Sequence, residues 1–274
     1  MATEDLYVTI DGHLAEIVLN RPDKLNAITE EMLLALEQAV DRLESMPAIR
    51  VLIVRGEGDA FSAGADLAAA AGRIRDTSLV RPHAEIWRRS LRRLAESPIP
   101  SIAAVHGVAV AGGLEVVLAC DLAVLARGAR FGDGHSVWGL SPSGGATQRL
   151  PRLVGERRAA WMLFSGEPLT AEEALAAGLV NVVAEPDELL ATARRMAAVL
   201  ASRSPASIAS MKRAMRRGMD APTLDEGLAI ELDVLDEHLA SDDFRIGAAA
   251  FGARTTPQFV GRAVPASPSD HAGG

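Results

Sequence analysis

The sequence predicts an α/β fold, and three observations carry that expectation. The run at 51–54 is short, continuously apolar and β-branched, and those at 101–105 and 122–125 read as further buried strands, the pattern of strands covered on both faces. Glycine turns follow the strands at 51–54 and 101–105, and the second leads into an apolar helical stretch and on to the strand at 122–125. From 186 to about 252 the chain reads as mostly helical, with much packing surface and little chemistry, as expected of an assembly region.

Taken in order, residues 6–19 alternate and break at Asp11-Gly12, which predicts two strands joined by a tight hairpin. Arg21 to Lys24 form a loop. Thr29 can cap a helix with Glu30 and Glu31 in its first turn and Met32, Leu36, Val40 and Leu43 as its apolar stripe, and Pro47 ends it. The strand at 51–54 runs into a glycine-containing loop, FSAGADL at 61–67, at the C-terminal side of a strand where ligand sites gather in α/β proteins. Residues 68–82 are Ala-rich and poorly periodic, so a mobile or variable segment is expected, then a helix over about 83–95. Pro98 and Pro100 introduce the strand at 101–105. A third glycine turn stands at Gly144-Gly145. Capping boxes are expected at Thr170 with Glu173 and at Thr223 with Glu226, and Gly178 closes the first of these helices. Three regions follow: a core with the site over 1–200, a helical oligomerisation region over 201–262, and a tail over 263–274 whose Ala, Pro, Ser and Gly predict disorder.

Composition narrows the function. With 274 residues the chain can hold one large core or a core with a helical appendage. Its net charge of -8 argues against a nucleic-acid surface, which Lys and Arg would have to supply. The cluster Arg88, Arg89, Arg92 and Arg93 has helical spacing and reads as a solvated face or subunit contact. The one cysteine, Cys120, reads as a small core residue and fits a reducing cytoplasm. No signal peptide and no membrane span are expected.

The chemistry centres on HGVAVAGGLEVVLACD at 106–121, where a carboxylate stands inside an apolar segment. Gly112 and Gly113 permit a tight turn and close approach to a ligand, and the first turn of the helix that follows offers free N–H groups to a negative oxygen, with Glu115 beside it. Amides of two loops, at Ala65 and Gly112, could converge on an oxygen that becomes negative during reaction, as a thioester carbonyl does on turning into an enolate. Competing patterns fail. There is no G-x-G-x-x-G, no phosphate-binding G-x-x-x-x-G-K-[ST] and no G-x-S-x-G elbow. The six histidines are scattered and only Asp133 with His135 form a close pair, so no metal is expected.

FSAGADL at 61–67, AVAGGLEVVLACD at 109–121 and GLSPSGGATQRLPRLVG at 139–155 together resemble the crotonase family, the enoyl-CoA hydratase/isomerase superfamily, as do NRPDKLNAIT at 20–29 and LTAEEALAAGLVNVV at 169–183. The resemblance is collinear over roughly 5–262. It implies a spiral of ββα units with a C-terminal helical trimerisation region, a homotrimer or homohexamer, an acyl-CoA substrate that carries the coenzyme itself so that no cofactor is needed, and an oxyanion hole from the backbone N–H groups of Ala65 and Gly112. It also implies coenzyme A binding by Lys24, Leu25, Ala63, Asp66 and Leu67, and it matches Glu115 to the first catalytic glutamate of the hydratases.

The second glutamate of two-glutamate hydratases falls twenty positions further on, at His135, with no gap to displace it. Glu115 is then expected to activate water for attack on C3 of a 2-enoyl thioester, and His135, helped by Asp133 if the segment is extended, to protonate C2. Three readings stay open: a hydratase or isomerase; another thioester-enolate reaction, whether decarboxylation, retro-aldol or ring-opening cleavage; and a non-catalytic acyl-CoA-binding protein. Trp87 and Trp138 are candidates for lining the acyl pocket.

Overall fold

The computed structural model describes residues 4–69 and 76–260. The tail at 263–274 and the middle of the 68–82 segment lie outside the described residues. A six-stranded sheet runs in the order β1-β2-β3-β4-β6-β8, with β1 (Leu6–Asp11) antiparallel to β2 (Leu14–Leu19) and the remaining pairs parallel: β3 (Val51–Gly56), β4 (Ser101–Val105), β6 (Leu122–Ala126) and β8 (Val182–Ala184). The β1–β2 hairpin forms as the alternation predicts. In β3, Leu52 and Val54 enter the larger core while Val51 and Ile53 enter a second one on the opposite face, which explains an apolar run without alternation.

A second layer makes the units ββα. Immediately after β4 comes β5 (Val108–Val110), and after β6 comes β7 (Arg130–Gly132); the two pair in parallel. The chain beyond β3 joins this layer through a bridge from Ser62 to Ala109, and the chain beyond β2 joins through one from Ile28 to Ala65. Short periodicity hides these pieces: three residues give too little alternation to read.

The helices α1 (Glu30–Glu44), α2 (Val80–Glu96), α3 (Gly112–Ala119), α4 (Ala146–Val154), α5 (Glu156–Ser165) and α6 (Ala171–Ala176) follow the strands. Thr29 accepts from the Met32 amide as the predicted cap, and both predicted capping boxes form. The second helix begins at Val80 and not at 83, because Asp76 caps a 3-10 turn, Thr77–Leu79, that runs straight into it. Its arginines lie along solvent and pair with neighbouring carboxylates: Arg88 with Glu85, Arg92 with Glu96, Arg89 with Glu37, and Arg93 with Asp41 and Glu44. Buried Cys120 is a core residue whose thiol burial pushes up to about 12.

α7 (Leu189–Ala201) covers the far face of the sheet through Leu189, Ala193 and Ala197. α8 (Pro205–Met219), α9 (Leu224–Leu239) and α10 (Asp242–Ala253) complete the described chain. α8 is fastened to the core by charge: Lys212 Nζ donates to Asp121 (2.6 Å) and to the Ile99 carbonyl (3.1 Å), and Arg216 donates to Asp121 (2.8 Å). Among the described residues no helix is long and apolar enough to cross a membrane.

Candidate active site

Two loops meet at the start of α3. Ser62 is the hinge of their meeting: its amide donates to the Val108 carbonyl at 2.9 Å and its carbonyl accepts from the Val110 amide at 3.2 Å. Its hydroxyl donates to the Asn26 carbonyl at 2.8 Å and accepts from the Gly64 amide at 3.1 Å. The 20–29 loop is bound in as well, by Ala63 N–H to the Leu25 carbonyl and Ile28 N–H to the Gly64 carbonyl. Gly64 has φ +95, a conformation that side chains resist, and a Cβ on it would lie 3.1 Å from the Gly112 nitrogen. A Cβ on Gly112 would in turn lie 3.3 Å from the Ala65 nitrogen. The two amides expected to converge therefore face one small space, and neither donates to another group among the described residues. Ala111 holds φ 51, a strained value for a residue with a side chain, costing on the order of 1 kcal/mol, and it aims the Gly112 N–H out of the helix.

Glu115 sits on the first turn of α3 at 2% exposure. Its Oε1 accepts from the amides of Gly144 (2.7 Å) and Ala146 (3.1 Å), the third glycine turn anticipated from the sequence. That turn needs a glycine because a Cβ at Gly144 would come within 2.6 Å of Glu115 Oε2. Burial raises the Glu115 pKa, against the opposing pull of those amides and of the charge on His135. The buried carboxylate is thus a stronger base than an exposed glutamate.

His135 and Asp133 do come together, though not as an extended segment. His135 has helical backbone angles and heads a 3-10 turn, Ser136–Trp138; the Asp133 carboxylate wraps that turn, accepting from the His135 amide at 3.1 Å and contacting the ring Nδ1 at 2.7 Å. Burial alone would lower the His135 pKa; the hydrogen bond and charge of fully buried Asp133, with the charge of Glu115, outweigh it and raise the pKa. His135 and Glu115 each favour the other's charged form, so the acid and the imidazole share one electrostatic site.

The residues assigned to coenzyme A divide. Lys24 and Leu25 are exposed on the rim, with Leu25 at φ 48, and Ala63 and Leu67 flank the loop they share. Asp66 is occupied within the protein: it accepts from Arg21 (2.9 Å) and from the Ala69 amide (3.0 Å), which hold its pKa low. Of the two tryptophans, Trp87 is buried against Gly112, whereas Trp138 is 74% exposed and borders a cavity with Val108, Val110, Arg130 and Asp133. Sequence reasoning missed Asn26. Fully buried at φ 53, it accepts from the Arg21 amide at 2.7 Å and donates to the carbonyls of Glu57 (2.8 Å) and Ala60 (2.7 Å), locking the rim loop to the oxyanion loop. An Asn following a loop Lys-Leu was the available signal, since Asn tolerates left-handed backbone.

Residues 9–262 match the family model described as Enoyl-CoA hydratase/isomerase. The crotonyl-CoA hydratase of Syntrophomonas wolfei is 33% identical, over 96% of this chain and all of that protein. The short-chain-enoyl-CoA hydratase of Clostridium acetobutylicum is 33% identical, over 92% of this chain and 95% of that one. Among solved structures, an enoyl-CoA hydratase from Bacillus anthracis superposes with a TM-score of 0.88 at 32% identity, covering 94% of this chain and all of the other. With the family match, these relatives and the fold in agreement, the chain belongs to the enoyl-CoA hydratase/isomerase family, the crotonase superfamily, and is an enzyme of acyl-CoA hydration or isomerisation.

Proposed function

We propose that the chain hydrates a 2-enoyl-CoA, and the observation that carries this reading is a buried carboxylate one helical turn beyond an unpaired amide that faces a second one. The thioester oxygen binds between the N–H groups of Ala65 and Gly112. As negative charge moves onto it, two fixed donors in a water-poor space stabilise the enolate. Glu115, through Oε2, takes a proton from water as that water forms its bond to C3. His135 gives a proton to C2 as the enolate collapses, and Asp133 holds the imidazole by Nδ1 so that Nε2 is the donating atom. The proton left on Glu115 returns to His135 through solvent, so one water is added overall. Lys24, Leu25, Ala63 and Leu67 bind coenzyme A at the rim, with Asp66 acting through Arg21 to shape the loop. The Asp133–His135 pair, able to move a proton by itself, favours double-bond isomerisation as the second reading.

We also propose a homotrimer or a dimer of trimers. Exposed apolar side chains along α8 to α10, among them Met211, Met215, Leu232 and Leu235, support it, because a face of that kind is covered in stable proteins.

Turnover of enoyl-CoAs in water enriched in heavy oxygen tests the reaction. Hydration adds labelled oxygen to the product, and Glu115→Gln lowers kcat by about 10²–10⁴-fold with the fold intact. A double-bond shift without label would establish isomerisation instead, and unchanged hydration in Glu115→Gln would overturn the role of Glu115.

A further inference from the structure

One face of α2 packs against both halves of the proposed site. At the oxyanion end, a Cβ on Gly112 would come within 2.5 Å of the Trp87 indole Cη2 and 2.9 Å of Cζ3. At the other end, one helical turn along α2, a Cβ on Gly144 would be 2.8 Å from Leu91 Cδ1 and 2.6 Å from Glu115 Oε2. Trp87 is 3% exposed and Leu91 fully buried. Trp87 thus borders the Gly112 end of the proposed oxyanion hole, and Leu91 borders the Gly144 turn that holds Glu115. An acyl chain that leaves the oxyanion hole toward α2 would meet the Trp87 indole and the Leu91 methyl.

The wall is also fixed. Trp87 Nε1–H donates to His83 Nε2 at 3.1 Å, and His83 Nδ1 lies 3.1 Å from Glu30 Oε2. Since Nε2 accepts, the ring proton sits on Nδ1 and points at Glu30. Glu30 opens α1, two residues after Ile28, which is itself bonded to the oxyanion loop at Gly64 and Asp66. Further along, Arg89 and Ser90 donate to Glu37, and Arg93 to Asp41 and Glu44, so α2 is tied to α1 over its described length. Each exposed pair contributes little alone; spread over several turns they keep the helix from swinging away.

We propose that Trp87, backed by Leu91 and held by His83 and Glu30, determines acyl-chain length and restricts the substrate to short, straight acyl groups of butenoyl size. The inference rests on the acyl-CoA reading of the site but not on hydration as the reaction.

Calorimetric titration with butanoyl-CoA, decanoyl-CoA and free coenzyme A tests it without turnover. The unaltered chain is expected to bind butanoyl-CoA at least about tenfold more tightly than decanoyl-CoA, the scale of discrimination that excluded methylenes produce. Trp87→Ala is expected to raise decanoyl-CoA affinity by about tenfold or more while changing butanoyl-CoA affinity less. His83→Gln, which touches no ligand, gives an intermediate ratio. Trp87→Leu, a smaller cut in volume, supplies the same comparison if the alanine variant unfolds. Equal affinities in the unaltered chain, or an unchanged ratio in both Trp87 variants, would overturn the length limit. Acyl-CoAs that bind no better than free coenzyme A would overturn both the limit and the acyl-CoA reading, whereas a length limit found without hydration of butenoyl-CoA would overturn the proposed reaction alone.

Discussion

At the scale of single residues the two titrating groups set a pH window whose limbs can be assigned. Hydration as proposed needs Glu115 ionised and His135 protonated. Both pKa values are raised, the first by burial and the second by Asp133 against burial, so the rate falls on the acid side above the ordinary carboxylate range and on the alkaline side above the ordinary imidazole range. Asp133→Asn removes the group that raises the imidazole; a kcat/KM profile should then show the alkaline limb moved to lower pH, with the acid limb nearly in place. Glu115, Ala65 and Gly112 were legible because a carboxylate inside an apolar run and glycines after strands are local signals. Asn26 and Ser62 were not. Their bonds run to Glu57, Ala60 and Asn26, more than thirty positions away in the chain, so an Asn in a loop hints at left-handed backbone but does not say which loop it pins.

At the scale of elements, α3 depends on how closely its first turn approaches the loop before α2. A Cβ on Gly113 would stand 2.4 Å from the Ser62 carbonyl oxygen, which is backbone and cannot swing aside. Gly113→Ala is expected to destabilise the fold by about 1–3 kcal/mol, measured by denaturant or thermal unfolding, and to lower activity because the strain falls on the ladder that spaces the two amides. The long strands and helices were readable from apolar runs, caps and prolines. β5, β7 and β8 were not, since three residues carry no period, and neither was the true start of α2, where an exposed 3-10 turn capped by Asp76 leads into the helix without an apolar stripe to mark it.

For the whole molecule, the carboxyl-terminal helices are anchored to the core by polar bonds, from Lys212 and Arg216 to Asp121, from Lys212 to the Ile99 carbonyl and from Arg50 to the Phe259 carbonyl, and leave a long apolar surface outside. The proposed assembly predicts a mass of three or six chains by sedimentation equilibrium. Met215→Glu with Leu232→Glu should shift it toward the single chain and lower the melting temperature. That this region is helical was plain from its caps and spacing; what it packs against was not, because an apolar stripe looks the same facing its own core or another subunit.

The ladder from Ile28 and Ala65 through Ser62 to Ala109 has a further consequence. The spacing of the oxyanion donors is part of the folded backbone, so their orientation is settled when the chain folds and little reorganisation remains for the moment of reaction. Such a hole has one width and cannot adapt to the acyl group. Among the described residues α2 donates no hydrogen bond to it, and Trp87 packs against its Gly112 side. Chemistry and selectivity therefore reside in separable parts of the chain, and α2 can be resurfaced to admit a new acyl group while the donors that make the enolate possible stay where they are.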